Sequence, residues 1–376
     1  MVTSYMNDGV VLEKLAAFND DVLNTTLFMN KGESPLTKPI LVKGNLLMPL
    51  LEALVHASGD EGLSAGGRVV SLSNKTAGPF GGTSPTMLCE VRALLPGQEA
   101  RAHRHTMAVL QYVLEGSGTS TIDGETYQWE QGDLVVYPAW CTHSFQNTTQ
   151  RPAYFFSVMD APLVEAIGQL KVRPPLQEQE QRSQRQEGLP DKRRYRDFET
   201  VQECIRALED EKLGVFTYLD SVQPPHRVEP MVIRWKNVRP LLDALLELPV
   251  QEDPRAGRVI GVYNKTAGES RGTTPALMAG FQVVPPGRRG LPHRHSVTAI
   301  QYIIEGEGSS VIEGQTYCWQ TGDIIVTPGG CAHDLSNDSE INPAYILGIT
   351  DLPLMKFLGL LSIEELSVES ERGERC

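Results

Sequence analysis

The sequence predicts an all-β protein built from two jelly-roll barrels, with a few short helices and a charged linker between them. Three observations carry that expectation. The chain repeats itself at a constant spacing, the repeated unit reads as short strands and turns, and the segment between the repeats has a different composition.

The repeat comes first, because self-similarity decides how everything else is parsed. Residues 68–79, RVVSLSNKTAGP, return at 258–269 as RVIGVYNKTAGE. Residues 96–118, PGQEARAHRHTMAVLQYVLEGSG, return at 286–308 as PGRRGLPHRHSVTAIQYIIEGEG. Residues 121–143, TIDGETYQWEQGDLVVYPAWCTH, return at 311–333 as VIEGQTYCWQTGDIIVTPGGCAH. The offset is 190 residues each time. Upstream, MPLLEAL from Met48 and RPLLDAL from Arg239 extend the match with the offset changed by one. The chain is an internal duplication.

Within each copy, runs such as AVLQYVLEG, DLVVYP and AYFFSV are separated by turn signals at Asp123-Gly124 and Gln131-Gly132. Strands this short, in this number, fit a jelly-roll barrel or a sandwich. Residues 171–196 are rich in Gln, Arg, Glu and Pro and almost free of large apolar side chains, so they are expected to form an exposed linker. FETVQECIRALEDEKLG, at 198–214, has apolar residues at helical spacing. The expected organisation is an N-terminal arm (1–44), a first barrel (45–165), linker and helix (166–230), a second barrel (231–355) and a C-terminal tail (356–376).

Composition narrows the function. The formal net charge of −13 over 376 residues argues against nucleic acid or an anionic membrane as partner. It leaves room for an anionic small molecule in a pocket of opposite local charge. No stretch approaches the roughly 20 apolar residues of a membrane helix. The start, MVTSYMNDGVVLEKL, has neither the basic residues nor the apolar run of a signal peptide. Six cysteines, at 89, 141, 204, 318, 331 and 376, form no CxxC pair. A cytoplasmic protein with reduced thiols is therefore expected. The apolar run DLPLMKFLGLL near the C-terminus is expected to need a partner surface, which points to a homo-oligomer.

The chemistry lies in the histidines. Six of the eight fall in the repeats: His103, His105 and His143, then His293, His295 and His333. Each set is H-x-H followed by 37 residues and a third histidine. On a strand, residues i and i+2 share a face, so His103 and His105 aim at one point and a facing strand supplies the third ligand. Neutral imidazole suits Zn, Cu, Fe and Ni, and three protein ligands leave open positions on a catalytic metal. One H-x-H alone is weak evidence. The same triple twice at identical spacing is strong.

Each copy resembles the cupin family in both of its sequence motifs. Gly97, His103, His105 and Gly116 match the first motif, as do Gly287, His293, His295 and Gly306. Gly132, Pro138, His143 and Asn147 match the second, as do Gly322, Pro328, His333 and Asn337. The family's usual glutamate ligand falls at Val109 and Ala299, so each site holds its metal by histidine alone and stays cationic. Glu115 and Glu305 lie nearby in turns and are expected to face solvent.

Within the cupins, HRHT and the sequence that follows look most like the gentisate, salicylate and 1-hydroxy-2-naphthoate 1,2-dioxygenases. That resemblance implies a non-haem Fe(II) ring-cleaving dioxygenase of extradiol type, with an anionic aromatic substrate and O2. The alternative is a cupin isomerase, decarboxylase or hydrolase using Zn, Mn or Ni as a Lewis acid. The family's carboxylate-binding arginine falls at Gln111 and Gln301, and its upstream glutamine at Arg92 and Gln282, so the first copy has exchanged the two side chains. Arg92 and Gln111 are the candidate catalytic residues, with Trp140, Gln282 and Gln301 as further substrate contacts. The competing role for Arg92 is a salt bridge with Glu90. The family's extra histidine after the third ligand is Phe145 here. A carboxylate-bearing substrate is expected in the first barrel because Arg92 is there.

Overall fold

The computed structural model describes residues 37–56, 68–175, 203, 206, 227–247 and 258–366. The elements are, in order, β1 (Ile40–Val42), α1 (Gly44–His56), β2 (Arg68–Leu72), β3 (Leu88–Leu94), β4 (Glu99–His105), β5 (Val109–Glu115), β6 (Ser117–Ile122), β7 (Glu125–Glu130), β8 (Leu134–Tyr137), β9 (His143–Asn147), β10 (Ala153–Met159), α2 (Ala161–Ala166) and β11 (Val172–Arg173). The second half runs β12 (Met231–Ile233), α3 (Trp235–Leu246), β13 (Arg258–Val262), β14 (Met278–Val284), β15 (His293–His295), β16 (Ala299–Glu305), β17 (Glu307–Ile312), β18 (Gln315–Gln320), β19 (Ile324–Thr327), β20 (Ala332–His333), β21 (Ser336–Asn337), β22 (Ala344–Thr350), α4 (Leu352–Phe357) and β23 (Ile363–Glu365).

Each half is a two-sheet jelly roll. In the first, the strand orders are β12-β8-β5-β10-β3-β2 and β11-β4-β9-β6-β7. In the second they are β1-β19-β16-β22-β14-β13 and β18-β17-β20-β15-β23, with β21 also paired to β17. One turn in each half, Asp123-Gly124 and Glu313-Gly314, has positive φ at both residues, as a tight hairpin between twisted strands requires.

The two-residue period of a strand explains why the longer sheets read as nearly continuous apolar runs. On β3, Cys89, Val91 and Ala93 enter one core, while Glu90 and Arg92 point the other way, into the barrel. On β5, Leu110, Tyr112 and Leu114 join that same core, while Val109 and Val113 belong to the barrel interior. The first core is the seam between the halves. It draws Phe281, Ile300, Leu347 and Ile349 from the second half, and Tyr302 sits 5.5 Å from the rings of both Tyr112 and Phe156. The inner cores hold the repeated tryptophans, Trp129 and Trp319, both buried.

The halves also exchange edge strands. β1 precedes the first barrel but pairs with β19 of the second; β12 precedes the second but pairs with β8 of the first. Matching carboxylates hold both exchanges. Buried Asp323 accepts the Gly44 backbone N–H at 2.7 Å and Lys43 Nζ at 2.8 Å. Buried Asp133 accepts the Trp235 N–H at 3.1 Å and Arg234 Nη1 at 2.7 Å. The repeated NKTAG segment braces the same arms: Asn74 Nδ2 donates to the Lys38 carbonyl at 2.8 Å and Asn264 Nδ2 to the Glu229 carbonyl at 2.7 Å.

Three expectations need adjustment at the ends. The first domain's sheet includes β12, which lies beyond the expected boundary at 231, and β11 from the expected linker pairs with β4. The expected tail contributes β23, paired with β15. Cys89, Cys141 and Cys331 are free and buried, but Cys318 is disulfide-bonded, against the expectation of reduced thiols throughout. The expected helix at 198–214 lies outside the described residues apart from Glu203 and Arg206, both helical, and most of the expected linker lies outside them too. No helix among the described residues is long and apolar enough to cross a membrane.

Candidate metal centres

Register places the histidines. β4 carries His103 and His105 on one face, and β9 sets His143 directly opposite His103. β15 and β20 repeat the arrangement, with His293 opposite His333. In each triad the ligand nitrogens all lie within 4.8 Å of one another. The loop before the third histidine is held to the strand: the His105 carbonyl accepts the Trp140 N–H at 2.6 Å, and the His295 carbonyl accepts the Gly330 N–H at 2.7 Å. Both turn residues have positive φ, +62° at Trp140 and +87° at Gly330.

All six Nδ1 atoms are engaged by backbone carbonyls. His103 bonds to Arg101, His105 to Met107 and His143 to Cys141, at 2.8, 2.8 and 3.0 Å. His293, His295 and His333 bond to Leu291, Val297 and Cys331, at 3.0, 2.8 and 2.9 Å. A carbonyl only accepts, so each Nδ1 carries the proton and each Nε2 presents its lone pair to the common point. Burial disfavours the charged form of five of these rings. It pushes His105 down to about 4 and His333 down to about 3, and lowers His103, His143 and His295, with the neighbouring histidines of each triad adding to the effect on His143 and His333. Three neutral, converging imidazoles fit a divalent transition metal. Val109 and Ala299 line the cavities where a carboxylate ligand would otherwise stand.

The two cavities differ threefold in size, about 210 Å³ in the first barrel and 630 Å³ in the second. Arg92, Gln111, Glu90, Tyr137, Phe145 and Met159 help line the first. Arg92 and Glu90 are ion-paired there at 3.6 Å, and the guanidinium lies 5.2 Å from the centre of the Phe145 ring. The Tyr137 ring lies 4.9 Å from His143, and its hydroxyl is tied to Ser120 at 2.7 Å. Gln282 and Gln301 line the second cavity, with Gly280, Thr327, Leu335 and Thr350 at the positions matching Glu90, Tyr137, Phe145 and Met159. Trp140 is set apart: its side chain is exposed, stacks with Arg104 and is not among the cavity-lining residues. Glu115 and Glu305 are exposed, the latter paired with Arg239 at 2.6 Å.

Sequence reasoning missed the wall of the second cavity supplied by the tail, where Leu361, Ile363 and Glu365 border the opening. It also missed Asp334, buried beside His333 and held by Arg289 at 2.8 Å and the Val311 N–H at 2.9 Å.

The model of the cupin domain matches residues 91–159 and 280–350, each segment spanning one complete histidine triad. Each repeat thus contains a segment similar to the cupin domain. The sequence is 27% identical over 282 residues to a 5-aminosalicylate 1,2-dioxygenase of Comamonas sp., covering 74% of the chain and 68% of that protein. It is 27% identical over 285 residues to a 1-hydroxy-2-naphthoate 1,2-dioxygenase of Nocardioides sp., covering 74% and 66%. The chain thus spans about two thirds of the length of these relatives. In fold it is similar to a salicylate 1,2-dioxygenase from Pseudaminobacter salicylatoxidans, with TM-score 0.71 at 20% identity, over 95% of this chain and 96% of that chain.

Proposed function

We propose that the chain is a non-haem Fe(II) dioxygenase that opens the ring of a hydroxylated aromatic acid between the carboxylate-bearing carbon and the adjacent hydroxylated carbon. The observation that carries this reading is the pair of carboxylate-free histidine triads, each facing a cavity, in a chain similar over about three quarters of its length to proteins named as 1,2-dioxygenases of such acids. The bond named in those relatives does not join or adjoin a catechol pair, so the label extradiol is dropped. Iron, when bound, would bring the acid and O2 together and let electrons pass between them.

The chain's own residues do the rest. Three neutral imidazoles leave the charge of a divalent ion undiminished, which favours a chelating anion. Buried Gln111 can donate its amide N–H groups to a substrate oxygen, and Gln301 offers the same in the second barrel. Arg92 can form a bidentate pair with a carboxylate where it exchanges Glu90 for substrate. Phe145 and Leu335 offer no proton acceptor beside the third histidine of either triad.

The test is oxygen uptake by Fe(II)-reconstituted protein offered salicylate, gentisate and 1-hydroxy-2-naphthoate. Uptake matched by ring opening is expected. Turnover that persists without oxygen, or with Zn alone, would replace this reading with the Lewis-acid isomerase, decarboxylase or hydrolase. The subunits are proposed to associate through the apolar C-terminal surface, where Phe357 is 84% and Ile363 69% exposed. Sedimentation should give a mass above the 41.4 kDa of one chain.

A further inference from the structure

Gly280 and Gly348 sit side by side on β14 and β22, in register, and both line the second cavity. Glycine in a strand interior weakens it, so its presence there calls for a reason. Backbone conformation is not the reason, because neither residue has positive φ. Packing is not the reason either. A Cβ on Gly280 would meet its nearest neighbours at 3.5 Å, and one on Gly348 at 3.9 Å, both ordinary contacts. What the two glycines leave is room. In the first barrel the same paired positions hold Glu90 and Ser157.

The other walls change in the same direction. Thr327 replaces Tyr137, Leu335 replaces Phe145 and Thr350 replaces Met159. With the two glycine positions these substitutions fall on four strands of the first barrel, β3, β8, β9 and β10, and every one shortens a side chain in the second. The result is a cavity of about 630 Å³ against 210 Å³. Pockets that enclose drug-sized ligands run from about 300 to 1,000 Å³, so only the second reaches that range. The first also places the Glu90 carboxylate next to any acid that enters, whereas Gly280 carries no charge.

We propose that the two metal centres are sorted by ring size: the second barrel takes fused-ring or similarly bulky aromatic hydroxy acids, and the first is confined to smaller ones. This rests on the reading of the protein as acting on aromatic hydroxy acids. Gly280 and Gly348 are the specificity-determining positions. The room they leave accommodates the second ring, while the triad and Gln301 face the acid and hydroxyl groups.

The test uses full-length, metal-loaded protein under anaerobic conditions. His103→Ala keeps the second centre and His293→Ala keeps the first. Calorimetric titration with 1-hydroxy-2-naphthoate should show binding to His103→Ala at least about tenfold tighter than to His293→Ala, while the difference for salicylate is smaller. Gly280→Val or Gly348→Val, added to His103→Ala, should fill the space and weaken naphthoate more than salicylate, with metal content and melting temperature maintained. Either valine variant suffices if the other fails to fold. Equal naphthoate affinity at the two centres overturns the proposal, as does a naphthoate-to-salicylate ratio that neither valine moves. Oxygen uptake separates the two claims. Sorted affinities without oxygen consumption would sink the dioxygenase reading alone, and oxygen consumption with unsorted affinities would sink the sorting alone.

Discussion

His103, His105 and His143 border a cavity of about 210 Å³, and His293, His295 and His333 one of about 630 Å³. The ligands, their spacing and their Nδ1 partners are the same in kind on both sides. The difference teaches that chelation and accommodation are separable in this fold. The triad depends on the register of two neighbouring strands and on carbonyls within two residues of each histidine. The room around it depends mostly on inward side chains from the other sheet, together with Phe145 or Leu335 beside the third histidine, and these can shrink without moving a ligand.

The largest expected effect tests the part the barrels share. Wild-type protein from metal-replete cells should carry about two divalent ions per chain, and His103→Ala or His293→Ala should each remove about one, because losing one of three ligands cripples a neutral-imidazole site. Elemental analysis decides it; wild-type protein with no metal ends the argument.

The next effect tests the Arg92–Glu90 pair, which the second barrel replaces with Gln282 and Gly280. In the His293→Ala background, Arg92→Gln should lower kcat/KM for a monocyclic hydroxy acid by roughly 10- to 100-fold, since it removes a charge-assisted bond and leaves Glu90 unopposed. Glu90→Gln should raise it by freeing the guanidinium. If both substitutions act in the same direction, Arg92 serves the fold and not the substrate.

A smaller effect concerns matching carboxylates behind the sites. Asp160 accepts the Ala108 N–H and Asp351 the Thr298 N–H, both at 2.8 Å. Asp351 also accepts the Thr86 hydroxyl at 2.7 Å, whereas the repeat has Ala276 at the position matching Thr86. Burial pushes Asp160 up to about 7, well above the value of about 3.9 in an unfolded chain. The folded state therefore binds the extra proton across that window, and stability falls as pH rises from about 4 to about 7. Asp160→Asn should flatten that fall in urea midpoints measured between pH 5 and 8. An unchanged slope would remove Asp160 as its source.

The smallest effect lies at Trp140, which holds positive φ where the second barrel has Gly330. Trp140→Gly relieves about 1–2 kcal/mol of backbone strain. It also gives up the contact with Arg104, worth about 0.5–1 kcal/mol. A slight rise in the urea midpoint with KM unmoved is expected. A KM raised several-fold would return Trp140 to the substrate site.

Much of this was legible in the sequence, and the reasons are local. H-x-H on a strand and a third histidine at constant separation need only the two-residue period to become a site, and the repeat removed chance as an explanation. Arg92 and Glu90 on one strand face were legible for the same reason. The cavity volumes were not, because Tyr137, Phe145, Met159 and their counterparts converge from separate strands. Neither were the exchanged edges. ILV at 40–42 and MVI at 231–233 are apolar tripeptides that would suit either barrel, and only tertiary packing chooses. Gly132-Asp133 and Gly322-Asp323 were visible as repeated turns, but nothing in the pattern says that each aspartate holds the neighbouring half. The tail read as an oligomer surface because a run of apolar residues does not reveal that part of it borders a cavity.

The edge exchange bears on how the chain is born. Synthesis proceeds from the N-terminus, and domains tend to fold as they emerge. Here β8 must wait for Met231–Ile233, and β1 for Ile324–Thr327, before either edge is closed. A ribosome that has just released the first barrel therefore exposes an open strand edge, the feature most prone to pairing with the wrong chain. Neither half is a complete product when cut from the other, and a gene split between them should yield two polypeptides that mature only together.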